Sequence, residues 1–212
     1  MNKTKIEWCD WTWNPITGCE NDCSYCYARR MSLRFHRSFE PQLHEERLNE
    51  PFELKKPAKI FTVSMGDMFG DWIPGSRIRK VLAVIDFCPQ HDFMILTKNP
   101  KRLADFYIPM NAWAGITVDS NAVYKERLRH LLEASAYVKF ISFEPLLTPV
   151  DIKPAELKEI DWVIIGGKTG HRPFFPPKEW VEPIIQAAKN LDIAIFLKNN
   201  LRYPEKIQDF PV

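Results

Sequence analysis

The chain has 212 residues, 45 % of them hydrophobic and 26 % charged, which suits one domain spanning residues 1–212 and argues against disorder. A formal net charge of +2 gives no global case for a polyanionic partner and leaves only local basic clusters to argue one. No apolar run reaches the roughly 20 residues of a membrane helix, and the opening "MNKTKIEWCDWTW" lacks a secretory pattern. A cytoplasmic protein with reduced thiols is therefore expected.

Trp8, Trp11 and Trp13 alternate through the N-terminal segment. The preferred reading is a strand laying large rings against the protein body, with a ligand-stacking surface as the alternative. "GCENDCSYCYARR" follows, with the spacing Cys19-x3-Cys23-x2-Cys26 and with Arg29, Arg30, Arg34 and Arg37 close behind. The arginines read first as a solvated helix face, and otherwise as an anion contact or a docking patch for an acidic electron donor. Residues 36–59, polar and broken by prolines, read as an insertion outside the main sheet.

From residue 59 the sequence alternates. "KIFTVSM", "DFMILTK", "WAGITVD", "VKFISFE", "DWVIIGG" and "AIFLKNN" read as strands. Between them, "GSRIRKVLAVIDFC", "NPKRLADFY", "SNAVYKERLRHLLEASA" and "PKEWVEPIIQAAKNL" read as helices. Such alternation predicts an α/β fold of parallel βα units. With one more strand near "WTWNP" there are about seven, in an open doubly wound sheet or a full or partial barrel. The strands end in polar tips that include Asp67, Lys98, Asp119, Glu144, Lys168 and Lys198. In parallel α/β folds these tips share the face where ligands bind.

A structural zinc site pairs C-x2-C with a second pair or with two histidines. The five histidines are scattered, and Cys9 is separated from the three cysteines by the Trp-rich strand. A 4Fe–4S cluster normally takes four cysteines; given three, it keeps one iron open for a small molecule, as catalytic metal sites do. A structural zinc or iron–sulfur site closed by Cys9 stays open as an alternative. So does a barrel without activity that works through a partner.

The spacing, with Tyr25 just before the third cysteine, resembles the signature of the radical S-adenosylmethionine superfamily. "WNPITGCENDCSYCYA", "ISFEPLL" and "DWVIIGG" look more narrowly like a phage- and prophage-associated three-cysteine family at its edge. The resemblance implies a partial (β/α)6-type barrel with the cysteines on the loop after the first strand. It implies that Cys19, Cys23 and Cys26 ligate a 4Fe–4S cluster whose open iron binds S-adenosylmethionine. Reductive cleavage would yield a 5′-deoxyadenosyl radical that abstracts hydrogen from a substrate.

By the same resemblance, Tyr25 would lie near the adenine. Met65-Gly66-Asp67 stands where the superfamily often has Gly-Gly-Glu, so Gly66 and Asp67 would meet the methionine amino group. Thr117, Asp119, Ser142 and Glu144 would reach the ribose and carboxylate. Gly166-Gly167-Lys168-Thr169-Gly170 departs from the narrower family's Gly-Gly-Glu-Ser-Gly, with Lys168 in place of the acid. A flavodoxin- or ferredoxin-type donor would supply the electron. The substrate is not readable; a nucleic-acid base and a substrate presented by a partner protein are both weighed.

Overall fold

The computed structural model describes residues 1–170 and 172–211; His171, one of the five histidines, and Val212 lie outside the described residues. Strand β1 (Asn2–Lys3) pairs antiparallel with β2 (Trp11–Trp13). Then come β3 (Ile16–Thr17), helix α1 (Tyr27–Arg34) and β4 (Gln42–Leu43), with β3 and β4 forming a separate two-stranded sheet. From there the chain runs β5 (Lys59–Thr62), α2 (Gly75–Asp86), β6 (Asp92–Thr97), β7 (Ala112–Thr117), α3 (Asn121–Leu132), β8 (Val138–Phe143), β9 (Trp162–Ile165), α4 (Lys178–Lys189) and β10 (Ala194–Leu197).

The main sheet has eight strands in the order β1-β2-β5-β6-β7-β8-β9-β10. Seven of them, from β2 to β10, are mutually parallel. This is the expected α/β architecture, with β1 added as a short antiparallel edge. Residues 36–59 lie outside the main sheet until Lys59: they supply β4 and two short 3-10 helices, Glu45–Arg47 and Glu50–Glu53. The segment "NPKRLADFY" forms a 3-10 helix, Pro100–Asp105, and not an α-helix.

Strands β5 to β10 are buried on both faces, so their side chains divide by the period of two. Ile60, Phe93, Ile95, Ala114, Ile116, Ile141, Val163 and Ile195 face the helices. Against them α2 packs Ile78, Val81, Leu82 and Ile85, spaced as one helical stripe. The alternate residues, Phe61, Met94, Trp113, Phe140, Trp162 and Phe196, form a second core on the opposite face. Trp162 is its centre, with Phe140, Trp113 and Phe196 rings at 5.4, 5.8 and 6.0 Å. Gly115 makes room there: a Cβ would meet the Phe140 ring at 2.3 Å.

The tryptophan triplet is structural. Trp13 is fully buried and donates Nε1 to the Arg47 carbonyl at 2.8 Å. Trp8, on a turn before the strand, packs on Phe61 at 4.7 Å, and Trp11 is half-buried. None of the three is an exposed stacking platform. The aromatic core fills one end of this face, and towards the carboxyl ends of the strands the lining turns polar around a cavity.

Candidate active site

The cavity has a volume of about 620 Å³, within the range of pockets that hold a ligand of nucleoside size. Cys19, Cys23 and Cys26 line it, together with Tyr25, Asp67 and Lys98. The cysteine loop is fixed to the tip of β5 by backbone contact. Gly18 donates to the Met65 carbonyl at 3.0 Å and bridges to Gly66. Gly18 has φ +86°, and a Cβ on Gly66 would meet the Gly18 carbonyl oxygen at 2.6 Å. Two glycines are thus required where the cluster loop crosses the strand tip.

All three thiols are half-exposed and unpaired by disulfide. Backbone N–H groups point at two of them, Asn21 to Cys19 Sγ at 3.4 Å and Arg29 to Cys26 Sγ at 3.3 Å. Such bonds stabilise thiolate and set the potential of any iron–sulfur cluster it holds. Cys26 also caps α1, whose N-terminal dipole favours negative charge. Burial pushes the Cys19 thiol up to about 11, against the Asn21 N–H that lowers it. Among the described residues, the thiols do not draw together with other His, Cys, Asp or Glu groups to hold a single ion.

Asp67 is 4 % exposed and stands at the hub of this loop. Its Oδ2 accepts from Asn21 Nδ2, the Lys98 N–H and Asn99 Nδ2, each at 2.9 Å. Its Oδ1 accepts from Thr97 Oγ1 at 2.6 Å and the Phe69 N–H at 3.1 Å. A carboxylate offers about four lone-pair sites, and here five donors from its own chain share them.

Tyr25, Lys98 and Asp119 form a second cluster on the rim. Tyr25 Oη donates to Asp119 Oδ2, and Lys98 Nζ donates to both, reaching Asp119 at 2.9 Å. Burial, reinforced by the Asp119 carboxylate, pushes the Tyr25 phenol far above its ordinary range, so it stays a proton donor. Burial alone would raise Asp119. Lys98, Tyr25 and Arg127 outweigh it and hold the carboxyl below its usual range.

Glu144 and Lys198 pair across the mouth, with Asn200 Nδ2 donating to the same carboxylate oxygen at 3.3 Å. Lys168 lines the cavity, while its backbone pairs with Phe174. Thr117 and Ser142 are both buried and both line it. Ser142 Oγ has no hydrogen-bond partner among the described residues, an open valence that a polar ligand can fill.

Cys9 is apart from all this. It is 8 % exposed within the aromatic core, and burial pushes its thiol up to about 12. Sequence reasoning gave no site role to Asn21, Asn99 or Asn200, although Asn99 and Asn200 stand at polar strand tips. Asn21 and Asn99 lie in loops and Asn200 in the short 3-10 helix Asn199–Leu201, and asparagine carries no periodic signal; a further hint was Asn21 standing between two cysteines.

The family described as protein of unknown function (DUF5131) matches residues 3–208. The chain belongs to that family. No curated protein matches it. Among solved structures it is similar to spore photoproduct lyase complexed with dinucleoside spore photoproduct, at TM-score 0.64 and 10 % identity, covering 92 % of this chain and 78 % of that one. A cysteine-to-alanine variant of that lyase with the same ligand gives 0.66 and 11 %, with the same coverage. A doubly substituted form with bound AdoMet and dinucleoside gives 0.57 and 12 %, covering 89 % of this chain and 63 % of that one. At these identities the likeness shows the fold, a partial barrel of mostly parallel strands. No helix among the described residues is long and apolar enough to cross a membrane.

Proposed function

We propose that this DUF5131 protein is a radical S-adenosylmethionine enzyme whose cavity holds a three-cysteine 4Fe–4S cluster and S-adenosylmethionine. The observation that carries the reading is the placement of all three thiols around one cavity, beside the unpartnered Ser142 hydroxyl. The donor set fits the cluster. Three thiols of one short loop line the cavity, and backbone N–H groups reach two of them, as iron–sulfur ligation requires.

When bound, the cluster supplies an electron that cleaves S-adenosylmethionine to methionine and a 5′-deoxyadenosyl radical able to take hydrogen from a substrate. The residues of this chain bind and orient. Cys19, Cys23 and Cys26 hold the cluster, with Cys19 and Cys26 tuned by their N–H donors. Ser142 and Thr117 offer polar groups to the ribose, and the tethered Tyr25 offers a ring face to the adenine, steadied by Lys98 and Asp119. Glu144 and Lys198, one carboxylate and one ammonium, suit the zwitterionic amino-acid end of S-adenosylmethionine.

Asp67 takes a different role from the one its motif suggested. An ammonium group would have to displace a donor already bound to it, so Asp67 holds the cluster loop in place, and Gly66 serves by its lack of a side chain. Cys9 stays in the core, which speaks against a structural site that it closes. The similarity to lyases solved with a dinucleoside ligand supports a substrate related to nucleic acid. The test is anaerobic turnover with dithionite. Release of 5′-deoxyadenosine that vanishes in Cys23→Ala supports the reading, and its absence from protein with a full complement of iron overturns it.

A further inference from the structure

Helix α1 leaves the cysteine loop and buries only Ala28 and Ser32. Met31, Leu33 and Phe35 are 44 %, 66 % and 56 % exposed, with Arg30, Arg34 and Arg37 exposed among them. From Tyr27 to Phe39 there are four arginines and a histidine, and neither an acid nor a lysine. The Arg34 and Arg37 guanidinium groups lie over the Phe35 ring at 5.9 and 5.7 Å. Met31 and Phe35, four residues apart, share one side of the helix; exposed apolar groups there suit a contact site, and the charge around them calls for an anionic partner.

This surface runs into the cavity. Tyr27 and Met31 line the cavity wall. Arg30 packs against Gly170 so closely that a Cβ there would meet its guanidinium at 2.9 Å. The loop bearing Gly170 brings Lys168 to the cavity and carries Phe175, 37 % exposed, under the Arg202 guanidinium at 4.0 Å. Arg30 therefore joins helix α1, which leads to the Arg34 and Arg37 guanidinium groups over Phe35, to the loop that leads to Phe175 and Arg202.

We propose that this track binds single-stranded nucleic acid and delivers one of its bases to the cavity, an assignment that rests on the reading of the cavity given above. Guanidinium groups pair with phosphates bidentately and stack on flat rings, which ammonium groups do not. Exposed aromatic rings accept bases of any identity by stacking. A base reaches an enclosed reacting centre only after leaving its own stack, and a single strand permits this at the lowest cost. An acidic protein partner would be served by lysine as well as arginine and would not call for rings laid beneath guanidinium groups.

The experiment is fluorescence anisotropy of a labelled single-stranded oligonucleotide, in DNA and RNA form, on the anaerobically reconstituted full chain across a salt series. The protein binds at least one form. Each phosphate contact contributes about 0.7 to the log–log salt slope on a single strand, so Arg34→Glu with Arg37→Glu lowers the slope by about 1.4. Phe35→Ala, exposed and therefore safe for folding, weakens binding roughly ten-fold through lost stacking with little change in slope. Absence of binding to either form, or equal binding by all variants, overturns the proposal. So does a double variant that binds the oligonucleotide normally but is reduced more slowly by a flavodoxin, which assigns the surface to the electron donor. Production of 5′-deoxyadenosine, measured in the same samples, tells failure of this surface from failure of the cavity reading.

Discussion

Asn21 and Asp67 are 46 residues apart in sequence and joined side chain to side chain at 2.9 Å. Asn21 is also the residue whose N–H reaches Cys19 Sγ and whose carbonyl accepts from Cys23 Sγ at 3.8 Å. The strand-tip carboxylate therefore reaches two of the three thiols through one asparagine, and acts as a positioning residue for the cysteine loop.

Removing that hub leaves several donors without an acceptor, and buried unsatisfied donors are costly. Asp67→Ala is expected to lose roughly 3 kcal/mol of stability and to take up less iron on reconstitution. Asn21→Ala, which deletes two side-chain bonds but keeps the backbone contacts to sulfur, loses less of both. Urea unfolding of the chain and iron content per chain measure this. If Asp67→Ala retains full iron while Asn21→Ala loses it, the hub assignment is wrong.

Cys9 sits in the aromatic core, so Cys9→Ser buries a hydroxyl there with only the Phe61 backbone beside it and should cost about 1–3 kcal/mol. Iron content should be unchanged. Cys19→Ala, Cys23→Ala and Cys26→Ala should each abolish cluster assembly while keeping the fold. Iron analysis paired with thermal unfolding separates the two classes, and loss of iron in Cys9→Ser would restore a four-cysteine site.

Asp119 bears on the pH response. Its folded carboxyl titrates below the ordinary value because Lys98, Tyr25 and Arg127 outweigh burial. Its contribution is therefore complete above the unfolded value of about 3.9 and is lost as pH falls through the lower folded value. Wild type should exceed Asp119→Asn by roughly 1–3 kcal/mol at neutral pH, and the gap should close in acid. A gap that widens on acidification would show the opposite sign. Denaturant midpoints from pH 3 to 7, taken on both proteins without cluster, read it directly.

Gly115 lies under the Phe140 ring. Gly115→Ala overpacks the aromatic core and should destabilise by about 1–3 kcal/mol, without changing iron content or the affinity for S-adenosylmethionine. Unfolding curves and ligand titration test the pair of outcomes together.

The βα frame was legible because its signal is periodic. Apolar runs such as "WVII" and the helical stripe of α2 name their elements without any distant partner. The three cysteines stood out by their spacing, and the structure sets them around one cavity. By contrast, β1, β3 and β4 have two residues each, too short for any pattern, and their pairing depends on where the chain returns. The links Lys98–Asp119 and Lys198–Glu144 join neighbouring or facing strand tips, so the residue types were visible and the partners were not. The motif position of Asp67 was readable, whereas the five donors around it, from the cysteine loop, its own turn and the β6 tip, were not.

The most direct test of the central claim is electron paramagnetic resonance of the anaerobically reconstituted, dithionite-reduced protein, recorded with and without S-adenosylmethionine. The account predicts a reduced 4Fe–4S signal that shifts when S-adenosylmethionine is added, the mark of an iron with an open position. Tightly bound zinc with no cluster signal, or a signal that S-adenosylmethionine leaves unmoved, would contradict it.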